Sequence, residues 1–181
     1  MKTVSGILVF ILSILSFSCK KEISSLPAPT QTGANTFGCK VDGQMWGPSG
    51  FGLTITAPIL EASYIDGRTI IINARNFSSS PTESEFEIHL MNVVTTGVYP
   101  LNTTTQKYPN QSGNYAYYVV RKFTPLNEWI TNSQYTGQVS ITRTDTVNRI
   151  VSGTFQFQAL NLYNTPQPVY VTDGRFDIKI Q

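Results

Sequence analysis

Hydrophobic and polar residues alternate with a period of two along most of the chain after residue 35. In the clearest run, at residues 85–90, the apolar positions are Phe86, Ile88 and Leu90. The same alternation recurs around Leu53 and Ile55, Val139 and Ile141, Phe155 and Phe157, and Phe176 and Ile178. A period of two is typical of antiparallel strands that pack one face on a core and expose the other. The pattern therefore predicts an all-β domain.

Two stretches, at residues 69–72 and 115–120, are apolar or aromatic on both faces. Strands of this kind lie in the middle of a sheet or beneath a loop. Residues 124–130 are the one candidate helix, because Thr124 can cap a helix and Pro125 suits a first turn. A loop fits that segment equally well.

Asp-Gly dipeptides predict three hairpin turns, at Asp42-Gly43, Asp66-Gly67 and Asp173-Gly174. A type I′ turn needs positive φ at both central positions, and Asp-Gly tolerates this. With the looser turn segments, these dipeptides divide the chain into about ten strands, a number typical of closed or two-layered β folds. We expect a single antiparallel β-sandwich or a flattened up-and-down barrel, which alternation alone does not separate.

The first 18 residues have the three regions of an export signal. Lys2 is basic, residues 7–17 are mostly apolar, and small residues precede Cys19. The apolar run is shorter than the ~20 residues that span a membrane. The segment from Leu15 to Cys19 resembles a lipobox, where the Cys sulfur receives a diacylglycerol before cleavage. Residues 1–18 are therefore predicted to be a lipoprotein signal peptide, and a plain signal peptide cleaved after Ser18 is the alternative.

The segment 19–35 is predicted to be the lipidated Cys19 followed by a flexible tether. Two prolines, a glycine and small polar residues give it no means of forming a core. Its 16 residues after Cys19 could extend to roughly 50 Å. The β domain is then expected to cover residues 36–181.

Charge excludes one class of partner. The chain has 13 basic and 11 acidic residues, and residues 1–18 contribute only Lys2, so 12 basic and 11 acidic residues follow the predicted cleavage site. A basic patch is the usual signature of nucleic-acid binding, and this balance provides none. We expect no nucleic-acid partner.

Cysteine and histidine offer no catalytic pair. Cys39 has no disulfide partner once Cys19 carries lipid, and free Cys is among the most buried residue types. We predict that Cys39 is a small buried hydrophobe on the inward face of a short strand. The single histidine, His89, stands fifty residues away from it.

The acidic residues likewise form no recognisable catalytic or metal-binding set. Glu83, Glu85 and Glu87 share one face of one strand, which is typical of a solvated outer face. Asp173 and Asp177 are interpreted as a turn residue and an exposed strand residue. The sequence therefore predicts no catalytic residue, no metal site, no cofactor and no enzymatic activity.

Four segments are distinctive as a set: NTFGCKVDGQMW at 35–46, TGVYPL at 96–101, IVSGTFQF at 150–157 and VTDGRFD at 171–177. They resemble a family of uncharacterised Bacteroidota lipoproteins that is described as a domain of unknown function. The resemblance supplies no catalytic residues. With the lipid on Cys19, it implies an outer-membrane lipoprotein, and both the periplasmic and the surface-facing orientation stay open.

The predicted function is a structural or accessory role in the cell envelope through contacts with other proteins. The alternative is a module that binds a glycan or another small ligand, because the chain contains two Trp and nine Tyr. Aromatic faces stack on sugar rings, and Tyr adds a hydroxyl for orientation. The candidate ligand-binding residues are Trp129, Tyr108, Tyr115, Tyr117 and Tyr163.

One local motif predicts a modification. Asp145-Thr146-Val147 resembles the Asp-(Ser/Thr)-hydrophobic acceptor of O-glycosylation in Bacteroidota, and it falls in a predicted exposed turn. Thr146 is the candidate acceptor, and an ordinary turn is the alternative.

Overall fold

The computed structural model describes residues 23–50, 58–79, 81–163 and 167–180. These ranges contain no helix, and therefore none long and apolar enough to cross a membrane. The strands are β1 (Thr36–Val41), β2 (Gln44–Trp46), β3 (Leu60–Ile65), β4 (Thr69–Asn76), β5 (Glu83–Leu90), β6 (Gly97–Leu101), β7 (Tyr115–Arg121), β8 (Pro125–Ile130), β9 (Gly137–Asp145), β10 (Ile150–Asn161) and β11 (Val169–Lys179). The all-β prediction is confirmed, with eleven described strands where about ten were expected.

The strands form one curled antiparallel sheet. Their hydrogen-bonded order is β2-β1-β11-β10-β8-β7-β5-β4-β3, with β9 added on β10 and β6 added on β9. The longest described strand, β10, pairs with β9 as far as Phe157, with β11 as far as Ala159, and with β8 at Leu160 and Asn161. It therefore joins the two halves of the sheet over one core.

The inward face follows the predicted alternation. Phe86, Ile88 and Leu90 have no exposed surface, and aromatic rings from both halves of the sheet meet around Phe86. Trp46 lies 4.6 Å from Phe86, centroid to centroid, and its Nε1 donates to Ser84 Oγ at 2.8 Å. Strand β2 therefore packs against β5 across the core, through both ring contact and a hydrogen bond.

Cys39 is a fully buried member of this core, as predicted. Burial raises the pKa of its thiol far above the ordinary value, so the thiol stays protonated and inert. The two densely apolar stretches also lie where they were expected, because β4 runs between β3 and β5, and β7 runs between β5 and β8. The predicted alternation at Leu53 and Ile55 lies outside the described residues.

The candidate helix at residues 124–130 is wrong, because Pro125–Ile130 is strand β8. The side chains alternate here as well: Trp129 packs toward the core opposite Tyr118, and Glu128 faces outward opposite Val119. Pro125 is tolerated because it is the first residue of the strand.

Two of the three predicted Asp-Gly turns are confirmed. Asp42-Gly43 and Asp66-Gly67 have positive φ at both positions and connect β1 to β2 and β3 to β4. The third is wrong, because Asp173-Gly174 lies inside β11, where its register with β1 and β10 shifts. The dipeptide forms a β-bulge there, and Asp173 pairs with Lys40 at 3.0 Å.

The described part of the predicted tether, residues 23–35, lies against the domain. The Asp177 carboxylate accepts hydrogen bonds from the backbone nitrogens of Thr32 (2.9 Å), Gly33 (2.8 Å) and Ala34 (3.1 Å). It also accepts from the hydroxyls of Thr30 and Ser152, each at 2.7 Å. Four donors of the segment thus bind one carboxylate, and the composition of the segment gives no sign of this.

Asp177 is only 1% exposed, so its interpretation as an exposed strand residue is wrong. It points away from the core, as its position in β11 requires, but residues 30–34 cover it. Burial alone would raise the pKa of Asp177, and the hydrogen bonds outweigh burial and hold that pKa well below the ordinary 3.8.

Candidate ligand-binding cleft

A cleft of about 280 Å³ opens on the outer face of β5, β7 and β8. We call it the outer cleft, and the residues that line it are Glu85, Glu87, Lys107, Tyr108, Tyr117, Arg121, Pro125 and Glu128. Register aligns its strand residues, since Glu87 lies opposite Tyr117, and Val119 lies opposite both Glu85 and Glu128. The loop 102–114, between β6 and β7, brings Lys107 and Tyr108 to the same place.

Tyrosine hydroxyls hold two of the carboxylates. Tyr115 donates a short hydrogen bond to Glu87 Oε1 and accepts one from the backbone nitrogen of Tyr108 at 2.8 Å. Tyr117 donates to Glu128 Oε1 at 2.6 Å. Each carboxylate is thus oriented by a neighbouring strand.

Lys107 crosses the cleft. Its Nζ lies 3.1 Å from Glu128 Oε1, 3.2 Å from the Tyr117 hydroxyl and 4.3 Å from the centre of the Tyr117 ring. A cation over an aromatic face is attracted by the ring quadrupole. This one side chain therefore joins the loop to β7 and β8 through both charge and ring contact.

The two oriented carboxylates have opposite pKa shifts. Burial raises the pKa of Glu87, and the Tyr115 hydrogen bond only partly offsets this. Burial would also raise the pKa of Glu128, but hydrogen bonds from Tyr117 and Lys107 outweigh it and lower that pKa. Burial further raises the pKa of the Tyr115 and Tyr117 hydroxyls, so both remain donors. The cleft therefore presents fixed donors and acceptors side by side.

An ion-pair ladder fixes the floor of the cleft. Glu85 accepts from Arg75 Nε at 2.9 Å and from Arg121 Nη2 at 2.7 Å, so both of its oxygens are paired. Arg75 also pairs with Glu61 at 2.9 Å. Glu83, Glu85 and Glu87 face outward as predicted, but they are half-buried and partnered rather than freely solvated.

His89 lies next to the cleft and is fully buried. Its ring stacks on Tyr115 at 5.2 Å with an interplanar angle of 4°. Neither ring nitrogen has a hydrogen-bond partner among the described residues. Desolvation lowers the pKa of His89, so the folded protein holds it neutral.

Replacing His89 by Leu should therefore leave stability unchanged or raise it by about 1 kcal/mol at pH 7, because an unpaired buried polar group is costly. The folded-state pKa of His89 is lowered, so the wild type loses stability as the pH falls below the unfolded value of about 6.5. The variant has no imidazole to protonate, so its free energy of unfolding relative to wild type should rise from pH 7 to pH 5. Urea unfolding at both pH values measures this, and a loss above about 1 kcal/mol at pH 7 would show that the imidazole makes a favourable contact.

The structure brings four of the five predicted aromatic residues to this region. Tyr108 and Tyr117 line the cleft, Tyr115 orients Glu87, and the Tyr163 hydroxyl contributes to the lowered pKa of Glu128. Tyr108 is 54% exposed and Tyr163 43%, whereas Tyr115 and Tyr117 are buried and contribute hydroxyls rather than open ring faces.

Trp129 is not part of the cleft. It stacks on Tyr118 at 5.4 Å on the inner face, and its Nε1 donates to the carbonyl of Gln167 at 3.0 Å. Sequence reasoning missed Lys107, Arg121 and Glu128. Lys107 and Glu128 stand next to aromatic residues in the sequence, which is their only signal, and Arg121 has no such neighbour. The strand order that assembles the three does not follow from the period of two.

Thr146 lies in the turn between β9 and β10 and is exposed, which confirms the predicted placement. The neighbouring Asp145 carboxylate accepts from the backbone nitrogens of Val147 (3.1 Å) and Asn148 (2.8 Å). Hydrogen bonds from Asn148 lower the pKa of Asp145. The O-glycosylation of Thr146 stays a prediction.

Within the described ranges, no group of three or more His, Cys, Asp or Glu side chains is placed to hold a metal ion.

Comparison with known proteins gives one match. The family described as "Domain of unknown function (DUF6252)" matches residues 36–178, which include all the described strands apart from the last residue of β11. No curated protein and no solved structure matches the chain. The matched range covers most of the sequence, and the chain belongs to the DUF6252 family of domains of unknown function.

Proposed function

We propose that the protein is an outer-membrane lipoprotein, anchored through Cys19, whose β domain binds a hydroxyl-rich ligand such as a glycan in the outer cleft. One observation carries the proposal. Three carboxylates, two cations and two tyrosines, from three strands and a loop, line a cleft of about 280 Å³. The periplasmic and the surface-facing orientation both agree with it.

The chemistry of the cleft favours a sugar. A sugar hydroxyl both donates and accepts, and the cleft offers an ammonium and a phenol as donors beside carboxylate acceptors. The exposed ring of Tyr108 adds an apolar face at the rim. Drug-sized ligands occupy pockets of about 300–1,000 Å³, so a cleft just below this range suits one or two sugar rings of a longer chain.

We infer binding rather than catalysis. Glu87 and Glu128 already accept hydrogen bonds from tyrosine hydroxyls, and Glu85 is paired with two arginines. A general acid or base must exchange protons with a substrate, and carboxylates committed to fixed neighbours suit a recognition surface better.

A structural or accessory role through protein contacts is the second candidate. Phe123, in the turn between β7 and β8, is 90% exposed, and Leu126, in β8, is 48% exposed. Exposed large apolar side chains are common singly, but here two lie within four residues of one hairpin. Crosslinking from Phe123 in native membranes would identify a protein bound there.

The outer cleft is tested by a glycan-array screen of the β domain, followed by calorimetry of each hit with variants. Lys107→Ala and Glu128→Gln should each weaken glycan binding about tenfold or more, since each removes a charged group that would hydrogen-bond a sugar hydroxyl. Tyr170→Ala is the matched control, because Tyr170 is 48% exposed on β11, outside the cleft. Loss of binding in Tyr170→Ala with retention in both cleft variants would overturn the assignment.

A further inference from the structure

The region where the described chain begins adjoins a second, larger groove of about 920 Å³. Its lining includes the apolar side chains of Ile23, Leu26, Ile59, Leu60 and Ile180. The cationic side chains of Arg149 and Lys179 also line it, and both residues are exposed. No Asp or Glu is among its lining residues.

The segment 23–34 is fixed at the edge of this groove. A Cβ on Gly38 would lie 2.7 Å from Pro27 Cδ, and one on Gly47 would lie 2.9 Å from Ile23 Cδ1, so both glycines leave room for the segment. Arg175 Nη1 donates to the Pro27 carbonyl at 3.1 Å, and Arg143 donates to the Gln31 carbonyl. Together with the bonds to Asp177, these contacts hold the segment along its length.

This packing shortens the connection to the predicted anchor. Only Lys20, Lys21 and Glu22 separate Cys19 from Ile23. Four residue steps span at most about 14 Å, compared with roughly 50 Å for a free tether of 16 residues. A lipid on Cys19 therefore brings the groove close to the bilayer surface.

We propose that this groove is a membrane-facing surface that rests on anionic lipid headgroups. The proposal relies on the lipid anchor of the proposed function but not on the outer cleft. Arg149 and Lys179 match anionic headgroups in charge, and no described acidic side chain lines the groove to oppose them. Basic residues next to a membrane anchor are attracted by anionic lipid, and the apolar lining suits the interfacial layer beneath the headgroups.

The test uses the full lipidated protein in vesicles of phosphatidylglycerol and phosphatidylcholine that carry a headgroup nitroxide. A fluorophore is attached either at Ser25→Cys, in the groove, or at Tyr170→Cys. Residue 170 is nine residues from Lys179 along β11, so the two residues lie up to about 30 Å apart. Cys39 is buried and does not compete for the label. Quenching at position 25 should be at least threefold stronger than at position 170.

The matched control removes the charge, either from the protein or from the lipid. Arg149→Ala with Lys179→Ala should reduce the quenching at position 25 by about half, and so should pure phosphatidylcholine vesicles, because both remove the headgroup attraction. Equal quenching at the two positions in protein that sediments with vesicles would overturn the proposal and leave the anchor intact. Failure to sediment would contradict both the anchor and the docked surface, whereas the outer cleft is judged by its own binding variants.

Discussion

Replacing Asp177 by Ala is expected to lower the free energy of unfolding by about 3 kcal/mol, because each buried donor left without a partner costs about 1–3 kcal/mol. The carboxylate accepts from three backbone nitrogens and from the hydroxyls of Thr30 and Ser152. Release of residues 30–34 to solvent limits the loss, since water then satisfies those backbone groups. Urea unfolding at pH 7 measures the change.

Asp173→Asn is the matched control, because Asn tolerates the positive φ of residue 173. It removes a carboxylate from the same strand, but Asp173 is half-exposed and has a surface ion pair with Lys40 at 3.0 Å. Pairs of this kind contribute at most about 1 kcal/mol. Equal losses in the two variants would show that residues 30–34 are not held by Asp177.

The same contact predicts a pH dependence. The folded-state pKa of Asp177 lies below its ordinary 3.8, so its stabilising contribution is fully present above about pH 4. That contribution is lost as the pH falls through the folded-state pKa. The difference in stability between wild type and Asp177→Ala should therefore shrink steadily below pH 4, and a constant difference down to pH 2 would contradict the assignment.

Replacing Gly153 by Ala is expected to cost about 3 kcal/mol or to prevent folding, which is the upper end of the range for overpacked cores. A Cβ at this position would lie 2.4 Å from the Ser140 carbonyl oxygen and 2.8 Å from Phe176 Cζ. The first contact is with the backbone of β9, where a side-chain rotation brings no relief. The strands β9, β10 and β11 would have to separate.

Thr154→Ala is the control for this change, because Thr154 is the next residue of β10 and is exposed. Thr154→Ala should lower the free energy of unfolding by less than about 1 kcal/mol, as most surface substitutions do. Melting temperature and soluble yield report both variants. A Gly153→Ala protein with the same melting temperature as the Thr154→Ala protein would show that β9 leaves room for a Cβ at position 153.

Local pattern predicted much of this fold. The alternation at residues 85–90 placed Phe86 inward and Glu87 outward, and the Asp-Gly dipeptides placed two hairpins. Such features depend on neighbouring residues alone. The pairing of β1 with β11 and of β8 with β10 depends on residues at least thirty positions apart, and no local pattern encodes it.

The errors share a physical cause. Asp173-Gly174 has the chemistry of a turn, but the neighbouring strands β1 and β10 impose a bulge on it. Thr124-Pro125 has the chemistry of a helix start, but pairing with β7 imposes a strand. Tertiary context overrides local propensity in both cases. Alternation predicts that Asp177 is exposed, because it reports the outward face of β11 but not that residues 30–34 cover that face.

The candidate cleft was predicted only in part. Aromatic abundance pointed to Tyr108, Tyr115, Tyr117 and Tyr163, which the structure groups around Glu87 and Glu128. It also pointed to Trp129, which faces the other way. Composition selects residue types that bind ligands, whereas strand register decides which of them share a face.

The most direct test of the proposed function is the NMR spectrum of the nine tyrosine rings, titrated with a glycan from the array. If the ligand binds in the outer cleft, the ring signals of Tyr108 and Tyr117, which line it, shift and saturate together with that of Tyr163, whose hydroxyl interacts with Glu128. The signals of Tyr64, Tyr99 and Tyr170, which lie outside the cleft, stay in place. Shifts confined to Tyr170, or a saturating glycan that moves none of the three cleft signals, would contradict the account.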